Sequence, residues 1–152
     1  MCHDGFRKRS CTTPLLVLNG APNGRNEFAT YPDDIVYVCQ GNAWMDERVM
    51  HLCIDKILKP HIDQAPPGIV PLLLLDPYHC HMMQSTVNAI EDLGVEVEHI
   101  PGGCTSLCQP VDVNVNKPFK SRMRRLCEEW MISTGLVHKG KIPPTRKHIA
   151  EW

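Results

Sequence analysis

The sequence predicts an α/β fold in which parallel strands are joined by crossover helices. Short apolar runs alternate with segments of helical periodicity in the second half of the chain, an order typical of crossover connections. The 152 residues, of which 43% are hydrophobic, suffice for one domain with a buried core. Aromatic residues make up only 6%, so we expect that core to be mostly aliphatic.

Two strands are predicted in the first quarter of the chain. Pro14 to Leu18 is a short apolar run followed by the turn dipeptide Asn19-Gly20. Residues 21–34 contain prolines and a second Asn-Gly pair, which indicates a loop. Ile35 to Cys39 is rich in β-branched residues and predicts the second strand.

A helix and a third strand follow. Met45 to Leu58 carries apolar residues at helical spacing, and Lys59-Pro60 is expected to end that helix. Residues 61–68 contain prolines and predict a loop. Ile69 to Leu75 is apolar without alternation, apart from Pro71, and predicts a strand buried on both faces.

The last three elements are two helices around a fourth strand. Ser85 to Leu93 predicts a short helix that ends at Gly94, and Val95 to Ile100 alternates as a half-buried strand does. A long amphipathic helix ends near Trp130, with Pro118 in its first turn. Its predicted inner side consists of Val115, Phe119, Met123, Leu126, Cys127 and Trp130.

Three segments are expected along the chain. Residues 1–13 are polar and without periodicity, residues 14–135 hold the strands and helices, and residues 136–152 form a tail with a helix starting after Pro143-Pro144. Because that helix starts where the chain stops, we expect a fragment of a longer protein. We also expect no signal peptide and no membrane partner, since the first ten residues are polar and no long apolar run exists.

Charge is distributed unevenly. Residues 26–112 carry three basic and thirteen acidic groups, whereas residues 113–152 carry nine basic and three acidic groups. Carboxylates in the middle of the chain suit cations, and a basic end suits phosphates. A solvated surface of uneven charge explains the same numbers, so charge alone leaves both interpretations open.

Two aspartates are the candidate catalytic and metal-binding residues. Asp76 follows Leu72 to Leu75, at the end of a strand where open α/β sheets place their sites. Asp112 lies near a predicted helix start, with 35 residues between the two. Two such carboxylates can hold Mg²⁺ against a phosphate. Capping of the next segment is an equal interpretation of Asp76 taken singly, and stabilisation of its helix start is the alternative for Asp112.

Other side chains suggest binding functions. The long helix carries a cluster of basic residues with no acidic residue among them. Such a cluster can contact the phosphate backbone of a nucleic acid, or it can simply be a solvated surface. The basic residues are Lys117, Lys120, Arg122, Arg124 and Arg125. A zinc site is an alternative for the histidines and cysteines of the chain, although neighbouring residues do not easily face one ion. Its candidate ligands are His79, Cys80, His81, Cys104 and Cys108.

Four short blocks carry a resemblance to one family. They are NAWMDE at 42–47, LLLDPYHCH at 73–81, IPGGCTS at 100–106 and QPVDVNVNKPFK at 109–120. In this order and spacing they resemble the DDE superfamily endonuclease domain of pogo/Tigger-like transposases. The resemblance extends over Gly41 to Trp130, about three-fifths of the chain.

The resemblance implies a ribonuclease-H-like mixed sheet flanked by helices, and a two-metal site that cuts DNA and joins the freed 3′-hydroxyl elsewhere. Asp76 matches the second catalytic carboxylate, Asp112 the third, and His81 a position near the site. The implied ion is Mg²⁺, with Mn²⁺ as a substitute. The implied partner is DNA and the implied location is the nucleus. The resemblance leaves open whether the complete parent protein forms homo-oligomers.

The first carboxylate of that family has no match here. Asp4 is the sole acid before Pro14, and its surroundings do not resemble the family's first strand. We therefore expect an incomplete fold without its first strand, and weak or absent nuclease activity. A domesticated, non-catalytic DNA-binding or chromatin module is the main alternative, and a zinc-stabilised interaction domain is another.

Overall fold

The computed structural model describes residues 13–22, 28–101, 115–134 and 143–152. Its described strands form two parallel pairs. Strand β1 (Leu15–Asn19) pairs with β2 (Val36–Gln40), and β3 (Leu72–Leu75) pairs with β4 (Glu96–His99). Both pairs are parallel. The predicted α/β class and parallel crossovers are confirmed, while the single ribonuclease-H-like sheet stays a prediction.

The first helical segment is longer than its sequence predicted. Helix α1 (Glu47–Cys53) passes through a π-helical stretch, Ile54–Leu58, directly into α2 (Lys59–Ile62). The prediction that Pro60 ends this helix was therefore wrong. The backbone N–H of Lys59 bonds to the carbonyl of Ile54, five residues back, and such a widened turn can accommodate a proline that a regular turn would exclude.

The remaining helices agree with their sequence signals. Helix α3 (Gln84–Glu91) is followed by Gly94 at a φ of 73°, a left-handed conformation that favours glycine. Helix α4 (Lys117–Ser133) carries its proline in the first turn, as predicted. Helix α5 (Arg146–Glu151) starts after Thr145, whose side chain accepts a hydrogen bond from the backbone N–H of His148.

A mainly aliphatic core joins α1 and α3 to the second sheet. Its buried members are Met50, Ile54, Cys80, Ile90 and Val95. Leu73, Leu75 and Val97, from the inner face of β3 and β4, pack against them. This packing fixes the carboxyl end of β3, the point where Asp76 leaves the sheet.

A second core lies against β1 and β2. Its buried residues are Leu18, Tyr31, Cys39 and Ala150. The rings of Phe28, Tyr31 and Tyr37 contact one another with centroids within 6 Å, in tilted and edge-on arrangements. This core is therefore partly aromatic, and Ala150 brings α5 onto the first sheet.

One burial prediction was wrong and another holds in part. Leu72 and Leu74 are 55% and 58% exposed, because no element in the described ranges covers the outer face of β3. On the predicted inner side of α4, Met123, Leu126, Cys127 and Trp130 are half-buried. Val115 and Phe119, from the same predicted side, are 57% and 52% exposed. Strand β3 therefore buries one face, formed by Leu73 and Leu75, rather than two.

The start of α1 offers a test of local stability. Asp46 Oδ1 accepts a hydrogen bond of 2.8 Å from the backbone N–H of Val49, which satisfies one of the unpaired donors of the first turn. We expect Asp46→Ala to lower the free energy of unfolding by about 1 kcal/mol. Urea denaturation measures the change. Asp55→Ala, at an exposed acid of the same helical segment, is the control, and an equal loss in both variants would contradict the capping role.

Candidate active site

Asp76 lies where the sequence predicted it, directly after the last residue of β3. Pro77 follows and turns the chain away from the sheet, toward a 3₁₀ turn at His79–His81. The Asp76 side chain is 36% exposed, so its carboxylate reaches solvent at the carboxyl edge of the second sheet. This is the edge at which α/β folds bind ligands.

His81 holds that carboxylate in place. Its Nδ1 lies 2.7 Å from Asp76 Oδ1 and 3.2 Å from the Asp76 carbonyl oxygen. Both oxygens only accept hydrogen bonds when the carboxyl is ionised, so Nδ1 carries the proton and donates. The His81 side chain is 16% exposed. One carboxylate oxygen is thereby oriented, and Oδ2 is available to a cation.

The neighbouring cysteine belongs to the core. Cys80 packs against Met50, Ile54 and Ile90, whereas the side chain of His79 is exposed. Burial raises the pKa of the Cys80 thiol. A backbone hydrogen bond offsets part of the rise, and the charges of Asp76 and Asp46 add to it. A thiol that stays protonated is a poor zinc ligand, and the side chains of this triplet do not converge.

A cleft of about 450 Å³ is lined by Tyr78, His79 and Cys80, from the segment between Asp76 and His81. Its other wall comes from the turn before α1. The Trp44 and Tyr78 rings are tilted against each other with centroids 6.3 Å apart, and Tyr78 meets the His81 ring edge-on at 5.7 Å. These contacts join the cleft to the carboxylate. Sequence reasoning did not identify the cleft.

The described residues fit a divalent cation in part. A carboxylate oxygen is the ligand type that Mg²⁺ prefers, and Asp76 presents one. Within the described ranges no group of three or more His, Cys, Asp or Glu side chains could hold a metal ion. Asp112 lies outside those ranges, as do Cys104 and Cys108 of the zinc alternative. The structure therefore supplies one oriented ligand of the predicted site.

The five candidate DNA-binding cations are all exposed on α4. Lys117, Lys120 and Arg124 follow one another at i, i+3 and i+7, so they lie along one side of the helix. Arg125 is instead engaged by Glu129, with Nε and Oε1 3.3 Å apart. Arg122 lies on the other side of the helix. Only the first three form a continuous cationic stripe.

A comparison of the sequence with known protein families identifies the family of this chain. The family model described as DDE superfamily endonuclease matches residues 12–149. The chain belongs to the DDE superfamily endonuclease family. The predicted resemblance is confirmed, and the match favours an endonuclease domain over the non-catalytic module that the sequence left open.

The relatives of this DDE domain include pogo transposable element proteins. It is 27% identical over 145 residues to "Pogo transposable element with KRAB domain" of Mus musculus and of Homo sapiens, covering 91% of the chain and 23% of each relative. It is 22% identical over 102 residues to the human "Pogo transposable element with ZNF domain", covering 66% of the chain and 7% of that protein. The DDE domain thus spans about a quarter of the first relatives.

Two further findings bound the description of this DDE domain. No solved structure matches it at a significant level. None of the helices in the described ranges combines the length and the apolar character needed to cross a membrane.

Proposed function

We propose that this domain is the metal-binding part of a Mg²⁺-dependent DDE endonuclease that cleaves DNA and transfers the freed strand in the complete parent protein. Asp76 and Asp112 are its second and third carboxylates, and residues 14–135 form its ribonuclease-H-like portion. Because its substrate would be DNA, the parent protein would act in the nucleus. Residues 1–13 and 136–152 flank the catalytic portion.

The Asp76–His81 hydrogen bond supports this proposal most directly. A carboxylate at the end of a strand needs a fixed orientation to hold an ion at a phosphate, and a hydrogen-bond partner of the ligand supplies that orientation. His81 does so through the 2.7 Å bond from Nδ1 to Oδ1. His81 follows Asp76 by five positions, and the 3₁₀ turn at His79–His81 brings the ring back to the carboxylate.

The residues divide the chemistry between them. Asp76 and Asp112 would hold Mg²⁺, or Mn²⁺ in its place, and the bound ion supplies the stabilisation of charge on the attacking and leaving oxygens. His81 holds the Oδ1 and the carbonyl oxygen of Asp76 in one arrangement through its Nδ1. The α4 stripe binds phosphates of the strand and so positions the DNA.

A nicking assay tests the proposal. The domain is incubated with supercoiled plasmid and Mg²⁺ or Mn²⁺, and relaxed circles are measured by gel electrophoresis. We expect weak or absent cleavage, because a two-metal site that lacks its first carboxylate loses most of its charge stabilisation. Any metal-dependent cleavage should disappear in Asp76→Asn and in Asp112→Asn.

Asp55→Asn is the matched control, since it removes an exposed acid of the same domain outside the site. Strong cleavage that Asp76→Asn abolishes would overturn the expected inactivity and support the site. Strong cleavage that persists in both site variants would contradict the assignment of Asp76 and Asp112.

A further inference from the structure

Trp44 is one of the exposed large apolar residues of the described chain, with 63% of its surface accessible to solvent. It lines a cleft whose lining also includes Tyr78, His79 and Cys80, from the segment between Asp76 and His81. A single exposed apolar residue is ordinary on a protein surface, but two aromatic rings in the lining of one cleft offer a surface for a flat ligand.

The turn that carries Trp44 is held in one conformation. Gln40 Oε1 accepts hydrogen bonds from the backbone N–H groups of Asn42 and Trp44, at 2.7 and 3.1 Å. The carbonyl oxygen of Gln40 accepts a third from Ala43, at 3.0 Å. Ala43 itself has a φ of 56°, a strained conformation for a residue other than glycine. The indole is thus presented by a pre-ordered turn rather than by a loose loop.

The lining of the cleft favours a flat, uncharged ligand. Trp44 and Tyr78 provide aromatic surface, and Asn42 an amide. The carboxylates of Asp46 and Glu47 also line it, and its lining residues in the described part of the chain include no lysine or arginine. These acids repel phosphate groups, whereas they accept hydrogen bonds from the amino groups of bases. The volume of about 450 Å³ is in the range of small-molecule sites, roughly 300–1,000 Å³.

We propose that this cleft binds one unpaired nucleobase of a DNA strand, stacked on the Trp44 indole beside Tyr78. The inference rests on the proposed function, because it places the base on the segment between His81 and Asp76, the carboxylate at which the strand would be cut. The contacts Trp44–Tyr78, Tyr78–His81 and His81–Asp76 link the base to that carboxylate. A strand held at this point would be opened and positioned by the same segment, residues 76–81.

The experiment measures the affinity of the 152-residue domain for labelled DNA by fluorescence anisotropy. The probes are a single strand of about eight nucleotides, the same length carrying abasic sugars throughout, and the matching duplex. Trp44→Ala should weaken single-strand binding by about tenfold, and Trp44→Phe should restore most of it, because stacking needs an aromatic face. Duplex affinity should not change, since paired bases cannot enter the cleft.

Two controls keep the result interpretable. Leu72→Ala truncates an equally exposed apolar side chain on the outer face of β3 and should bind all three probes as the unaltered domain does. The abasic strand is measured with the unaltered domain, so that comparison is valid even where a substitution disturbs folding. The affinity of the unaltered domain for the abasic strand should be as low as the affinity of Trp44→Ala for the normal strand.

Equal single-strand affinity in Trp44→Ala and the unaltered domain, or equal affinity for abasic and normal strands, overturns the inference. Duplex binding that remains in that case leaves the proposed function standing. A domain that binds neither single strand nor duplex overturns the inference and the proposed function together.

Discussion

Replacing Lys117, Lys120 and Arg124 with glutamine is expected to lower the affinity for duplex DNA by about 100- to 1,000-fold at roughly 0.1 M salt. The three cations are exposed along one side of α4, where a single duplex backbone can reach all of them. Each phosphate contact contributes about 0.9 to the slope of log affinity against log salt. The triple variant should therefore reduce that slope by about 2.7.

Arg125→Gln should have a smaller effect than any member of the stripe. Its guanidinium is engaged by Glu129 at 3.3 Å, so binding a phosphate would require that pair to break or be shared. Fluorescence anisotropy over a range of salt concentrations measures both the affinity and the slope for each variant. A loss in Arg125→Gln as large as in Lys120→Gln would contradict the assignment of the stripe.

A charge-matched control separates the stripe from net charge. Lys56, Lys59 and Lys147 lie outside α4 and are exposed, and their replacement by glutamine changes the net charge by the same amount. We expect that variant to retain nearly all duplex affinity. If both triple variants lose affinity equally, then the net charge of the whole domain determines DNA binding, and α4 has no particular role.

The periodic elements of the fold were predictable because their signals are local. The alternation at 95–100 predicted β4, Gly94 marked the end of α3, and the proline of α4 sat in its first turn. These features depend on a few neighbouring residues, so tertiary contacts did not override them. The helix after Met45 was predicted for the same reason.

The errors arose where distant contacts decide the outcome. An unbroken apolar run predicts burial on both faces, but which faces are covered depends on elements elsewhere, and Leu72 and Leu74 remain exposed. Pro60 predicted a helix end, yet the π-helical stretch Ile54–Leu58 carries the helix through it. No local pattern indicates such a widened turn, because the sequence of residues 54–58 is ordinary for a helix.

The sequence proposed residues of the candidate site but not their contacts. Asp76 was proposed from its place after an apolar run and His81 from the family resemblance, whereas the hydrogen bond between them follows from the 3₁₀ turn at His79–His81. The cleft beside Trp44 could not be predicted, since it forms between segments more than thirty residues apart in the chain. Its one signal was a lone tryptophan in a polar turn before a helix.

The central claim is that Asp76 and Asp112 hold one divalent ion together, and binding of Mn²⁺ tests it. Electron paramagnetic resonance counts free Mn²⁺ during a titration of the domain and of Asp76→Asn, Asp112→Asn and the double variant. Loss of a ligating carboxylate should weaken binding at least about 100-fold, since even the partners of ligands are worth about 10- to 100-fold. Asp55→Asn is again the control and should bind Mn²⁺ normally.

Each single substitution should abolish the same binding event, so the double variant should lose no more than either one alone. That non-additive result is the one the account predicts. Losses that add, or an Asp112→Asn variant that binds Mn²⁺ as tightly as the unaltered domain, would contradict a shared ion.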